Sequence, residues 1–313
     1  MGLVENILNG EEKSAARLIS QIENGEKEAY KSLTKLLPNI GKAHVIGITG
    51  PAGAGKSSIT GRLAVYFADR GKKPAVISTD PTSIKGKGAF LGDRLRMKEA
   101  EEKNIFIRSM AHRGYPGGVA RAAMGAVYVL EALGKDLILL ESAGAGQSEK
   151  DLFFLCDTVV AVFTPDFGDD IQLMKAGLIE IGDIIVVNKS DKPGASEAIL
   201  EIRSCLSLLN ETNGWRVPLI STQANIGNGI DELSKAIETH QVNIDHSGRK
   251  EEKKREKIKA FLSALMKEEL WTRFTERFDS SAVFNRMLDD ITANKIDPYS
   301  AIEIIFNKIN NIK

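Results

Sequence analysis

His44-Val45-Ile46-Gly47-Ile48-Thr49-Gly50-Pro51-Ala52-Gly53-Ala54-Gly55-Lys56-Ser57-Ser58 is the stretch that decides the fold. Its first six residues make a short apolar run suited to a buried strand. Gly50 to Ser57 then match G-x-x-x-x-G-K-[ST] in full. Ser58 to Asp69 follow with Ile59, Leu63, Val65 and Phe67 spaced among polar residues, as in a helix. Strand, glycine turn and helix in that order form a phosphate-binding loop. The glycines let backbone N–H groups wrap phosphates at the positive end of the helix. Nucleotide contacts are therefore expected from Gly50, Pro51, Ala52, Gly53, Ala54, Gly55, Lys56, Ser57 and Ser58. Lys56 is expected to reach the outer phosphates as a catalytic group, and Ser57 to hold Mg²⁺.

Working outward, apolar runs recur at Pro74–Thr79, Ile105–Arg108, Asp136–Glu141, Thr158–Thr164, Asp183–Asn188 and Val217–Ser221, with amphipathic stretches between them. Near-continuous apolar strands alternating with helices predict an α/β fold, a mostly parallel sheet flanked by helices. In such a sheet the ligand site lies at the carboxyl ends of the strands. Residues 1–42 read as an N-terminal helical extension, 43–242 as the P-loop nucleotide domain and 243–313 as a C-terminal helical arm. Asn243 to Gly248 read as a linker, and Arg249 to Lys259 as the solvated start of a helix.

Asn188-Lys189-Ser190-Asp191 closes one of the strands and matches N-K-x-D, the guanine-reading motif. The Asp191 carboxylate can accept from guanine N1–H and the exocyclic amine. Adenine has no amine there and offers an acceptor at N1, so it is rejected. Asn188 and Lys189 are expected to brace the base and the phosphate loop. Ser221-Thr222-Gln223, at another strand end, sits where a backbone amide can meet the guanine oxygen. GTP and GDP are the ligands this pattern predicts. Leu137 to Glu141, then Ser142-Ala143-Gly144, read as an acidic strand end with E-x-x-G. There Glu141 orients Mg²⁺ and the Gly144 N–H senses the terminal phosphate. Ala145 follows that glycine where Ras-like proteins place a water-positioning Gln, and Gln147 comes later. Slow hydrolysis, raised by a partner, is the expectation. Asp80 ends another strand and can reach Mg²⁺, and Asp93 lies in the glycine-rich stretch Gly86 to Arg94. His112 and Arg113 sit in a second glycine-rich loop and receive no role.

The 42 basic residues cancel the 42 acidic ones in this 313-residue chain, which argues against a general nucleic-acid or membrane-surface binder. Cys156 and Cys205 form no metal pattern and no disulfide framework. The N-terminus has neither the basic start nor the apolar stretch of a signal peptide, and no run is long enough to span a membrane. These features predict a cytoplasmic protein.

With these motifs assembled, the chain resembles the MeaB/ArgK family of P-loop GTPases. The matching stretches are Gly47 to Ser57, Asp80-Pro81-Thr82-Ser83, Leu91-Gly92-Asp93-Arg94, Arg113-Gly114 with Gly117-Gly118, Glu141 to Glu149, Gly168 to Gln172, and Val187 to Asp191. Asp297-Pro298-Tyr299-Ser300-Ala301 also looks like the family's tail. The family consists of G-protein metallochaperones for adenosylcobalamin-dependent acyl-CoA mutases. The resemblance implies cobalamin handled through a mutase partner, such as methylmalonyl-CoA mutase, which accelerates GTP hydrolysis. It implies a homodimer through the C-terminal helices. It adds Asp80, Asp93 and Glu141 to the Mg²⁺ shell, and Asp169, Gln172 and Lys175 as a switch that relays nucleotide state. A nickel-insertion GTPase is the alternative, disfavoured by only four His and two Cys without a cluster.

Overall fold

In a computed structural model of the chain, the residues described are 2–80, 97–111, 118–142, 153–165, 172–208, 214–248, 250–278 and 282–310. The chain divides into two compact units, Met1–Ala264 and Leu265–Lys313.

The first unit is built on a seven-stranded parallel sheet. Its strands are β1 (His44–Thr49), β2 (Pro74–Asp80), β3 (Phe106–Ala111), β4 (Leu137–Glu141), β5 (Thr158–Phe163), β6 (Ile184–Val187) and β7 (Leu219–Ser221). The order across the sheet is β3-β2-β4-β1-β5-β6-β7. All seven apolar runs singled out in the sequence are strands here, within a few residues at each end. Their lack of alternation follows from burial on both faces. In β4, Ile138 and Leu140 enter one core while Leu137 and Leu139 enter another. In β6, Ile184 and Val186 face one core and Ile185 and Val187 a third. Successive side chains point to opposite faces, so a strand covered on both sides has every position apolar.

Helices α1 (Leu3–Leu8), α2 (Glu12–Glu23) and α3 (Lys27–Leu36) precede the sheet. The N-terminal segment is a layer of the core: Ile7, Leu18, Ile19 and Leu36 are fully buried in the cluster that also holds β-strand residues Val45, Ile77 and Ile138. Gly125 of the helix Gly118–Ala132 permits this contact, since a Cβ there would lie 2.8 Å from Ile22 Cγ2. An ion pair between Arg108 of β3 and Glu23 of α2 ties the layer down.

The linker expected at Asn243 to Gly248 is instead mostly helix. The helix Ile230–His246 continues through it because Ile230, Leu233, Ile237, His240 and Ile244 keep one buried face. The charge run after it is only partly solvated. Lys257 of the helix Lys250–Phe278 pairs with Asp157, the residue just before β5, and Lys253 donates to the Asp157 carbonyl at 3.3 Å. In the second unit, Asp297 caps the helix Pro298–Asn310 by accepting from Tyr299 N and Ser300 N at 2.9 and 3.0 Å. Among the described residues no helix is long and apolar enough to cross a membrane.

Candidate nucleotide site

The sheet order puts the carboxyl end of β1 beside that of β4, and β5, β6 and β7 follow on its other side. The loop Gly50–Gly55, the end of β4 and the loops after β6 and β7 thus share one edge. The helix Lys56–Ala68 begins as the loop ends. Gly50 has φ 144°, and a Cβ there would lie 2.2 Å from the Val162 carbonyl oxygen. Gly55 has φ 90°, and its Cβ would lie 2.2 Å from Asn188 Nδ2. Both positions require glycine, one for close approach to β5 and one for close approach to the N-K-x-D motif.

Lys56 is buried, and its ammonium donates to the carbonyls of Gly50 and Pro51 at 2.8 and 3.0 Å. The amine therefore curls back over the loop it follows. Ser57 Oγ, also buried, donates to Glu141 Oε1 at 2.6 Å, although the two residues are 84 positions apart. Thr79 Oγ1 donates to the Glu141 carbonyl at 3.1 Å, which links the end of β2 to the same point. A hydroxyl and a carboxylate meeting beside a lysine form a hard-oxygen donor set of the kind that suits Mg²⁺.

Asn188 is the hub of the other half. Its Nδ2 donates to the Ala54 carbonyl at 2.8 Å, and its Oδ1 accepts from Thr222 Oγ1 at 3.0 Å and from Ala224 N at 3.1 Å. One buried amide thus joins the phosphate loop to the loop after β7. Lys189 adopts φ 56°, which turns the chain sharply after Asn188 and leaves Asp191 exposed. Ser190 N donates to the Thr222 carbonyl at 3.1 Å, so the two loops are also sewn together by backbone. Thr222 N is engaged with the Val187 carbonyl at 2.9 Å and Gln223 N with the Asn228 carbonyl at 3.0 Å. The loop after β7 accordingly meets Asn188 through Thr222 and Ala224.

Asp93, Gly144, Gln147, Asp169, His112 and Arg113 lie outside the described residues. Asp80 ends β2, and Gln172 and Lys175 lie within the helix Gln172–Ile181. Ser58 is half-buried in the first turn after the loop. Two residues absent from the sequence reading belong to this edge. Ala224 meets Asn188, and Arg62 grips the loop after β7. The alanine carries no signal of its own, and the arginine's partners on that loop lie more than 160 residues away.

Residues 15–279 match the family described as Methylmalonyl Co-A mutase-associated GTPase MeaB. The chain belongs to the MeaB family. A Pyrococcus abyssi protein named as a GTPase is 40% identical to this MeaB-family chain, covering 98% of it and 96% of the relative. The GTPase ArgK of Escherichia coli is 28% identical, covering 96% of this chain and 93% of its own. The crystal structure of a LAO/AO transport system kinase matches with a TM-score of 0.75 at 22% identity, covering 99% of this chain and 97% of that one, a likeness of fold. MeaB is a family of GTP hydrolases, and this chain carries the phosphate loop and parallel sheet of the P-loop class.

Proposed function

We propose that this MeaB-family GTPase couples GTP binding and hydrolysis to the service of an adenosylcobalamin-dependent acyl-CoA mutase such as methylmalonyl-CoA mutase. It gates delivery of the cobalamin cofactor and protects the mutase, with cobalamin handled through the partner. The observation supporting the nucleotide half is the junction of Lys56, Ser57, Glu141 and Asn188 at one sheet edge. The family match over residues 15–279 supports the mutase half.

In this reading the loop from Gly50 to Ser58 holds the phosphates. Lys56 exchanges its two carbonyl acceptors for phosphate oxygens and stabilises the charge that gathers there during transfer. The exchange swaps one set of oxygen acceptors for another, so the buried ammonium stays paired throughout. Ser57, Glu141, Asp80 and Asp93 hold Mg²⁺, which when bound neutralises charge on the phosphate oxygens. Asp191 reads the guanine N1–H and amine, Asn188 and Lys189 brace the motif, and Ser221, Thr222 and Gln223 line the base side. Gly144, Gln147, Asp169, Gln172 and Lys175 relay nucleotide state to the partner. Turnover is slow until the mutase completes or orders the catalytic groups.

The chain pairs with a second copy through its C-terminal arm, residues 243–313. Leu262, Met266 and Leu270 support this, being exposed four residues apart on one helix with Trp271 beside them. Light scattering at micromolar concentration is expected to give twice the 34.1 kDa chain mass. A monomer at all concentrations would remove the dimer from the proposal.

The mutase reading is tested by gel filtration of the full chain with a purified acyl-CoA mutase from the same source. A complex whose stability differs between GDP and a non-hydrolysable GTP analogue is expected. Failure to associate in either state with any such mutase would overturn the partner assignment.

A further inference from the structure

Arg62 lies on the helix Lys56–Ala68, on the second turn after the phosphate-binding lysine. Its guanidinium forks across the loop after β7. Nε donates to the Ala224 carbonyl at 3.3 Å and one terminal nitrogen donates to the Asn225 carbonyl at 3.0 Å. The other terminal nitrogen pairs with Glu99 Oε2 at 2.7 Å, on the short helix Lys98–Glu102. Ala224 is therefore held at both ends. Its N–H meets Asn188 Oδ1 and its C=O meets Arg62. The loop also has internal closure of its own, since Gln223 N donates to the Asn228 carbonyl and Gly227 N to the Gln223 carbonyl, both at 3.0 Å. Its shape does not need the arginine. What the arginine adds is a fixed position for that loop relative to the helix that carries Lys56 and Ser57.

We propose that Arg62 is a positioning residue for base recognition, holding the loop Thr222–Asn225 so that the Asn225 N–H, the one backbone donor of that stretch not taken up by Val187, Asn228 or Asn188, meets the 6-oxygen of guanine. This rests on the guanine reading of Asn188 and Asp191 given above. The chemistry suits the task. A planar guanidinium presents several donors in a fixed fork, so one side chain can hold two successive carbonyls and an anchoring carboxylate at once. Such charge-assisted bonds are stronger than neutral ones. The Glu99 pair is itself partly exposed and adds little directly; it orients the fork. A lysine offers a single compact cation and cannot reproduce the grip.

The test is a binding comparison among GTP, 6-thio-GTP and ITP for the wild type, Arg62→Ala and Arg62→Lys. The thio analogue puts a larger, weaker acceptor at position 6 and keeps both the N1–H and the exocyclic amine. ITP lacks only the exocyclic amine that Asp191 reads. Wild type is expected to favour GTP over both analogues. Arg62→Ala is expected to bind GTP roughly tenfold more weakly, with the GTP to 6-thio-GTP ratio falling towards one and the GTP to ITP ratio retained. Arg62→Lys should recover less than half of the loss. An unchanged thio ratio in Arg62→Ala, an equal loss for all three ligands, or a wild-type thio ratio of one overturns the proposal. If Arg62→Ala melts before nucleotide is added, Glu99→Gln takes its place, with a smaller shift of the same ratio expected and no shift overturning the proposal. Wild type that cannot tell GTP from ATP overturns the guanine reading itself, a separate failure.

Discussion

Gly55 and Asn188 show how the site is specified at the scale of single residues. The missing side chain of one makes room for the amide of the other, and that amide reaches two loops. Gly55→Ala places a Cβ in a left-handed backbone and against Asn188 Nδ2, so at least about 2 kcal/mol of stability should be lost. Chemical denaturation measures this, and a wild-type midpoint would show that the close approach is not required. Lys56→Ala is expected to lower kcat/KM for GTP by roughly a hundredfold or more, since a positioned cation on the phosphates is removed. Unchanged turnover would remove Lys56 from the mechanism. Asp191→Asn should lose the preference for GTP and gain xanthosine triphosphate, whose 2-oxo group can accept from the new amide. Retained GTP preference would refute the base assignment. The letters G-x-x-x-x-G-K-S and N-K-x-D were legible in the sequence because their chemistry is local. The hold of Asn188 on Ala54 and of Arg62 on Ala224 was not, because each contact closes across more than 130 residues.

At the scale of elements, strand positions followed from apolar runs, and the parallel order from their alternation with helices. The junction at the amino edge of the sheet was illegible. There His44 Nε2 lies 2.9 Å from Thr158 Oγ1, which lies 2.8 Å from His240 Nδ1, and His240 Nε2 faces Asp183 at 3.4 Å. This buried chain ties β1, β5 and the helix Ile230–His246 together, and no sequence spacing announces it. Burial pushes His44 down from 6.5 to about 4, partly opposed by Asp157, and burial also lowers His240. Between these limits the unfolded chain binds more protons than the folded one. Stability is therefore full above pH 6.5 and declines as pH falls towards about 4, by on the order of 3 kcal/mol for His44. Thermal midpoints between pH 7.5 and 4.5 should show this decline, and His44→Gln, which keeps an N–H donor, should flatten it. Equal slopes in both proteins would exclude His44 as a source. Asn243 to Ser247 misled for a related reason. Their polarity suggested a linker, but the helix there depends on Ile244 continuing a buried face set by earlier residues.

At the scale of the whole molecule, the helices of the N-terminal extension pack as a layer of the core. Ile22, buried beside Gly125, shows why. Its burial is set by a glycine about 100 positions away, which no local pattern reveals. Ile22→Ala is expected to cost about 2–5 kcal/mol of global stability, whereas a loosely attached extension would lose almost nothing. The carboxyl edge and the amino edge are opposite ends of the same parallel sheet, so the charged helix start that pairs with Asp157 is remote from the loop Gly50–Gly55. We propose that GTP turnover by this chain serves an acyl-CoA mutase. The most direct measurement is steady-state GTP hydrolysis by the full chain, alone and with each acyl-CoA mutase from the same source. Slow turnover that rises several-fold with one of those mutases is the predicted result. Turnover unaffected by every one of them would contradict it.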